Sequence, residues 1–483
     1  MKVFLTTTLP YANSTAHVGH TLEFVQADAI SRYLKDNGHD VLFNVGLDEH
    51  GMKVYQQSLD QGVEPKVILD KLTDVWKEFC SKFLIEYDSF YRTSDSTHHE
   101  GAQAFWNLCQ ENGFIYQKTY KGKYCVGCES FKTEQDLIDG KCPDHSTLEI
   151  KETEEENYFF KLSAFREQLL EDLKTDNNLL GEATKFLQPQ TKMSELIGLI
   201  DGVEDVSISR LSKNLPWGVP VPNDPEHTMY VWTDALTNYF IAAGWLSNPE
   251  EFEERWSNCI QICGPDNLRF QAVLFQGMLK SVGLPGTTKL LVHGTILDEN
   301  GNKMSKTVGN VVDPIAQLEK YGLRAVRYYI LAGISTFQNS SWSEKDLVNL
   351  HNSDLANDYG NLLSRVIHLL DKQEIKLDER LVTQEFVDTI LEYVEAASEL
   401  FDKYELKLGL QKLNAIFNYC NKYITTAEPW KNKDVAPVVL NNLVWVFRSV
   451  SQRYDPFIPG LTVDTWRWIT TRNKTPLFPK LTF

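Results

Sequence analysis

Residues Lys2 to His20 read KVFLTTTLPYANSTAHVGH, and the way this stretch is parsed decides what fold to expect. KVFLTTT is short, rich in β-branched residues and bounded by Pro10, the pattern of a strand. Downstream, Leu22, Val25, Ile30 and Leu34 recur at helical spacing as far as Gly38, a plausible stop. A helix is therefore expected to open on His17, Val18, Gly19 and His20. The next run, DVLFNVG (Asp40 to Gly46), supplies a second strand, so residues 1–118 predict an α/β domain with a parallel sheet.

A helix N-terminus at the end of a strand offers backbone N–H groups and the positive end of the helix dipole, a natural seat for phosphate. His17 and His20 add donors aimed at the same anion, and Gly19 removes a Cβ where a flat base can approach. The same spacing also suits two capping or packing histidines. Context elsewhere in the chain has to decide.

That context changes at residue 119. Residues 119–225 carry a Cys/His cluster, the acidic run ETEEEN (Glu152 to Asn157) and the Pro-rich exit LPWGVPVPNDP, and read as an insertion. Strand-like runs then return as MYVW (Met229 to Trp232), CIQIC (Cys259 to Cys263) and KLLVHGTIL (Lys289 to Leu297), as though an interrupted sheet resumes over 226–292. Residues 293–350 connect to 351–483, where few glycines and long amphipathic runs predict a helix bundle.

Bulk properties bound the function. The chain has 483 residues, 42% of them hydrophobic and 24% charged, a soluble globular composition. No apolar run approaches the roughly 18–20 residues of a membrane span, and the N-terminus lacks the basic and apolar regions of a leader, so a cytoplasmic protein is expected. A net charge of −18 argues against a broad nucleic-acid-binding surface. From His351 to Phe483, however, 16 basic residues face 17 acidic ones, which makes the C-terminal third the least repulsive place for RNA.

Four further patterns carry chemistry. Cys125, Cys128, Cys142 and His145 form CxxC, thirteen residues, CxxH, a strong pattern for one tetrahedral, structural zinc; the other five cysteines are scattered and do not look like a disulfide framework. In GNKMSKT (Gly301 to Thr307), Lys303 and Lys306 can close over a triphosphate, although most such loops are merely solvated. GLDEHG (Gly46 to Gly51) puts Asp48 just past the second strand, at the edge where an open sheet binds ligands, or simply in a turn; it is not a Walker A loop, since Lys53 does not directly follow Gly51. In YVWTDALTNYF, Trp232, Ala235 and Tyr239 share a helical face, as core residues or as a pocket wall.

HVGH near the start together with KMSKT late in the same chain resembles the paired signature of class I aminoacyl-tRNA synthetases. LPYANSTAHVGH, GLDEHG, KMSKTVGNVVDP, YCVGC, NYFFKLS, YVWTDAL, ANDYGNLLSR and NKYITTAEPW extend the resemblance, over nearly the whole chain, to the methionyl-tRNA synthetase family. The resemblance implies a Rossmann-type α/β catalytic domain with a zinc-bearing insertion, followed by an all-α anticodon-binding helix bundle. It implies activation of methionine by ATP, with Mg2+, and transfer to tRNA(Met). His17, His20, Lys303 and Lys306 would stabilise the phosphates, with Gly19, Gly264 and Asp266 also at the ATP. Asp48 would take the substrate ammonium, while Leu9, Tyr11, Trp232, Ala235, Tyr239, Gln271 and Phe275 would form the methionine pocket. The zinc insertion would lie near the acceptor end of the tRNA, and Asn361, Arg365 and Trp430 would contact the anticodon.

Several residues depart from the family's pattern. Pro265 stands for a usual lysine, Gln271 for histidine, Phe275 for tryptophan, Leu236 for proline and Thr307 for serine, so a variant pocket for the same substrate is expected. The short insertion leaves little room for a hydrolytic second sieve. The chain ends soon after the bundle, so a monomer is expected. The alternatives are a nucleotidyltransferase that uses no tRNA and an inactive paralogue that only binds RNA.

Overall fold

The computed structural model describes residues 1–125, 130–132, 137–143, 148–179, 186–304 and 309–482. Cys128, His145, Lys306 and Thr307 lie outside the described residues. The principal strands are, in chain order, β1 (Lys2–Thr7), β2 (Asp40–Leu47), β3 (Ser89–Arg92), β4 (Ile115–Cys125), β5 (Lys151–Phe160), β6 (Leu187–Gln188), β7 (Cys259–Cys263) and β8 (Lys289–Val292). The helices used below are α1 (Val18–Asp36), α2 (Ser96–Glu111), α3 (Val231–Ala242), α4 (Pro314–Tyr321), α5 (Glu344–Leu350), α6 (Leu362–Lys372), α7 (Gln384–Asp402), α8 (Leu406–Ala427), α9 (Ala436–Tyr454) and α10 (Leu461–Thr471).

Two compact units divide the chain. The first comprises Met1–Thr15, Val41–Glu78 and Tyr87–Val292. Its main sheet has the order β3-β2-β1-β7-β8-β6. The β1–β7 pair is parallel, with Phe4 opposite Cys259 and Thr7 opposite Ile262, and so are β7–β8, β8–β6 and β2–β3. β7 and β8 are buried at every position, which is why CIQIC and KLLV are largely apolar, with Gln261 and Lys289 the exceptions. From β1 the chain builds outward to β2 and β3 on one side and returns much later to β7 and β8 on the other. The strand order thus reverses between β1 and β7, the place where an open parallel sheet leaves a crevice at its carboxyl edge.

The resumed sheet differs from expectation at two runs. Of KLLVHGTIL only Lys289–Val292 joins the main sheet, and Ile296–Leu297 pairs with Ser340–Ser341 in a separate two-stranded sheet. MYVW is not a strand of the main sheet: Asp224–Met229 joins a separate three-stranded sheet with Ser209–Leu211 and Pro220–Val221, and α3 begins at Val231. The β-branched and aromatic residues Val231 and Trp232 favour a strand locally, but burial along most of α3 overrides that preference. Within 119–225, β4 and β5 form a long antiparallel pair from Ile115 opposite Phe160 to Tyr124 opposite Lys151, whereas the short β6 adds to the edge of the main sheet. α2 packs closely on α3: Phe105 meets Phe240 at 5.7 Å between ring centroids, and a Cβ on Gly101 would lie 2.4 Å from Ile241 Cδ1.

The second unit comprises Ala16–Asp40, Phe79–Glu86 and His293–Phe483, and is largely helical. α1 is fixed in it through Asp28, fully buried, which accepts from Arg327 Nη2 at 2.6 Å, Arg32 Nε at 2.9 Å and the backbone N–H of Glu86 at 2.8 Å. Arg327, also buried, donates a further bond to the Phe83 carbonyl, so both charges have the partners that burial demands. In the C-terminal bundle Tyr359 is the hub, with Phe417 at 4.6 Å, Phe447 at 5.2 Å and its hydroxyl 2.6 Å from Thr465 Oγ1. Among the described residues no helix is long and apolar enough to cross a membrane.

Candidate functional site

At the carboxyl end of β1 the chain continues extended through Leu9, Pro10 and Tyr11 and pairs with the end of β2. Asp48 N–H donates to the Pro10 carbonyl at 2.9 Å, Ala12 N–H donates to the Asp48 carbonyl at 2.8 Å, and Tyr11 lies directly opposite Asp48. Two of the expected ligand contacts are therefore neighbours because of backbone pairing alone. The turn after β7, Gly264 to Asn267, is closed by Asn267 N–H to the Gly264 carbonyl, and puts Gly264 and Asp266 at the carboxyl end of the strand beside β1.

The loop that holds Asp48 is secured by its next residue. Glu49 is fully buried and its carboxylate accepts from Arg92 Nε at 2.8 Å, Thr73 Oγ1 at 3.2 Å and Ser94 Oγ, while its carbonyl takes Trp217 Nε1 at 2.7 Å. Sequence reasoning missed Glu49, Arg92 and Trp217. Glu49 sits inside GLDEHG, but its partners come from distant segments that no local pattern reveals.

α3 carries Trp232, Ala235 and Tyr239 as expected. Trp232 stacks face to face on Phe270, centroids 3.8 Å apart and rings 2° from parallel. Gln271 Nε2 donates to the Tyr239 hydroxyl at 2.6 Å, and Phe275 meets Tyr239 edge-on at 5.3 Å. Gln271, Phe275 and Tyr239 are all buried. Phe270–Leu274 forms a single π-helical turn, closed by Phe275 N–H to the Phe270 carbonyl, a departure from α geometry that recurs at functional sites. Phe270 was not anticipated.

HVGH opens α1 with His17 as the N-cap. His17 Nδ1 accepts the N–H groups of Gly19 at 3.1 Å and His20 at 3.4 Å, and His20 Nδ1 accepts the N–H of His17 at 3.3 Å. These N–H groups, expected to face an anion, thus serve the cap. The rings stack at 3.8 Å, and because both Nδ1 atoms accept, each neutral imidazole carries its proton on Nε2. Gly19 has a local reason: a Cβ there would lie 2.9 Å from His17 Cε1. One turn on, buried Glu23 accepts from His293 Nε2 at 3.1 Å, tying α1 to the start of the HGTIL segment.

Beyond HGTIL, Lys303 bridges Leu297 antiparallel across a DENGN turn. Asp298 holds that turn, accepting the N–H groups of Asn300 and Asn302 at 2.9 and 2.8 Å and Asn310 Nδ2 at 2.9 Å. The Asn302 and Asn310 bonds keep its carboxyl below the ordinary range.

Cys125 ends β4, and Cys142 follows a turn in which Ile138 and Lys141 exchange backbone bonds; both thiols are buried and neither is in a disulfide. Each is followed within three residues by a candidate ligand outside the described residues, and among the described residues no set of three metal ligands converges. Two buried thiols outside any disulfide suit zinc in chemistry.

In the helical unit Asn361 and Arg365 line an open pocket of about 450 Å3 with Asn357, Ser364, His368 and Asn421. The Arg365 guanidinium lies 5.6 Å from the centroid of Trp430, which is 41% exposed. Gln373 Nε2 fixes the preceding Pro429 carbonyl at 2.9 Å.

The family model described as tRNA synthetases class I (M) matches residues 3–153 and 145–367. The chain is 36% identical to the methionine–tRNA ligase of Caldanaerobacter subterraneus subsp. tengcongensis, with 96% of this chain and 75% of that protein covered. It is 35% identical to that of Brucella suis, with 95% and 90% covered. A solved structure of Mycobacterium tuberculosis methionyl-tRNA synthetase in complex with methionyl-adenylate matches with a TM-score of 0.87 at 32% identity, covering 96% of this chain and 93% of that one.

Proposed function

The chain belongs to the methionine–tRNA ligases of class I, and on that footing we propose which of its residues perform the reaction. It activates methionine with ATP to methionyl-adenylate and pyrophosphate, then transfers the methionyl group to tRNA(Met). The methionine carboxylate attacks the α-phosphorus in line as pyrophosphate leaves. No side chain is covalently modified, so rate comes from positioning and from groups that balance charge on the phosphates.

Asp48 pairs with the substrate ammonium, as a carboxylate beside the β1 extension can. Leu9 and Tyr11 flank it, and Trp232, Ala235, Tyr239, Gln271 and Phe275 surround the thioether, which packs well against ring edges. Gly264 lets the ribose approach, and Asp266 accepts its hydroxyls. His17 and His20 donate from Nε2 to phosphate oxygens, with Gly19 between them, and Lys303 and Lys306 neutralise the departing pyrophosphate. Mg2+ enters with ATP as part of the substrate. Cys125, Cys128, Cys142 and His145 would hold one zinc, which supplies rigidity to the insertion. Asn361, Arg365 and Trp430 read the anticodon. The enzyme acts as a cytoplasmic monomer.

The observation that best supports these roles is the pairing of Tyr11 with Asp48 at the carboxyl edge where the strand order reverses. The test is ATP–pyrophosphate exchange against all twenty amino acids without tRNA. Methionine alone should give signal, and Asp48→Ala should reduce it at least a hundredfold. Normal exchange by Asp48→Ala would overturn the ammonium assignment, and a signal for another amino acid would overturn the pocket.

A further inference from the structure

A buried chain of side chains runs through the first unit that none of the roles above uses. Asp234, on the first turn of α3 between Trp232 and Ala235, is fully buried, as are His50 and His98 to within about one per cent. His50 Nδ1 lies 2.5 Å from Asp234 Oδ2, and His98 Nε2 bonds Asp234 Oδ1. Farther out, the Tyr91 hydroxyl is 3.2 Å from His98 Nδ1, and His99 Nε2 is 3.3 Å from His50 Nε2.

Donor and acceptor capacity fixes the direction of the two bonds to Asp234. A carboxylate only accepts, so His50 Nδ1 and His98 Nε2 carry protons toward Asp234. At the outer ends, Tyr91 with His98 Nδ1 and His99 Nε2 with His50 Nε2 extend the chain at hydrogen-bond distance. Burial pushes the Asp234 carboxyl up, but the imidazoles of His50 and His98 outweigh it and hold the group well below the ordinary carboxylate range. Burial and the neighbouring His50 lower His99 to about 4, so the His99 ring is neutral at working pH.

The chain joins four elements: β3 through Tyr91, α2 through His98 and His99, the Asp48 loop through His50, and α3 through Asp234. Tight packing of α2 on α3 does not need it, because Gly101 and Phe105 already provide that contact. This chain joins the loop holding Asp48, two residues before His50, to the helix turn holding Trp232, two residues before Asp234. We infer that Asp234 is a positioning residue for methionine, clamping the loop that holds the ammonium partner to the helix that walls the thioether, with His50 as the arm that transmits the clamp. The inference rests on the roles proposed above for Asp48 and Trp232. It accounts for a charge buried beside a substrate pocket that it does not itself line.

Two variants of equal polarity separate positioning from bulk. In His50→Asn the side-chain amide nitrogen falls where Nδ1 was, and can still donate to Asp234; in His50→Gln it falls at the Nε2 position and cannot. Methionine and ATP kinetics are measured by pyrophosphate exchange on variants checked by circular dichroism. His50→Asn should keep the methionine KM within about threefold of the parent, while His50→Gln should raise it about tenfold with the ATP KM unchanged. Asp234→Asn, where it folds, should show the His50→Gln signature. Equal behaviour of the two His50 variants, parallel changes in both KM values, or failure of both to fold would each overturn the clamp. An inactive parent protein would instead sink the methionine assignment, so the two failures are distinguishable.

Discussion

Gln271 shows how a single exchange propagates through a buried contact. Its amide nitrogen donates to the Tyr239 hydroxyl at 2.6 Å in a region where both side chains exclude water, so the pair is specified by need as much as by attraction. Tyr239→Phe removes the acceptor and strands the amide, at a cost of about 1–3 kcal/mol. The expected outcome is a lower thermal midpoint and a methionine KM raised about tenfold. Gln271→His keeps a ring nitrogen able to bond Tyr239 and should leave both near the parent values; calorimetry and exchange kinetics check the pair. At this scale the sequence named Tyr239, Gln271 and Phe275 through the motifs around them. It did not name Phe270 or Glu49, whose importance comes from Trp232, Arg92, Thr73 and Ser94, contacts made by residues far apart in the chain.

Local chemistry decides where elements begin, which is why the start of α1 was legible and the identity of MYVW was not. A histidine cap with a glycine two residues on is a local device, visible in HVGH itself. A helix at Val231 is set by what buries it, against the preference of its own residues. The junction between α4 and α5 offers a test of an element held by one carboxylate. Glu344, at the start of α5, accepts from Gln317 Nε2 at 2.7 Å, Lys320 Nζ at 2.6 Å and the Tyr321 hydroxyl at 2.6 Å. Lys320 first, then Tyr321 and Gln317, lower its carboxyl to about 2. The folded value is depressed, so this stability is fully present above the unfolded pKa of about 4.3 and fades as pH falls toward 2. With a partly exposed side chain the contribution is about 1 kcal/mol. Glu344→Gln should lower the thermal midpoint by a few degrees at pH 6, and the gap should shrink by about half at pH 3. A gap constant with pH would mean that the ionised carboxylate is not what holds the junction.

Across the whole molecule, the interrupted sheet was legible because β7 and β8 are short, largely apolar runs of the kind a doubly covered parallel strand carries. Strand order and the contribution of Leu187 and Gln188 were not, since both depend on pairings no periodicity encodes. Division into two units puts the methionine candidates Tyr11, Asp48, Trp232, Tyr239 and Gln271 in one and the anticodon candidates Asn361, Arg365 and Trp430 in the other, whereas the ATP candidates are split, with Gly264 and Asp266 in the first and His17, His20 and Lys303 in the second. Amino-acid binding and anticodon reading should therefore respond to different substitutions. Trp430 is the sharpest probe, because it is exposed, lies against Arg365 and is held by the Gln373 bond to Pro429. An aromatic platform of this kind is worth about 1–3 kcal/mol per stacked base. Trp430→Ala should raise the tRNA KM in aminoacylation by about ten- to a hundredfold while methionine-dependent pyrophosphate exchange without tRNA stays within about twofold. Equal loss of both activities would assign Trp430 to stability instead, since an unfolding defect cannot discriminate between a reaction that needs the tRNA and one that does not.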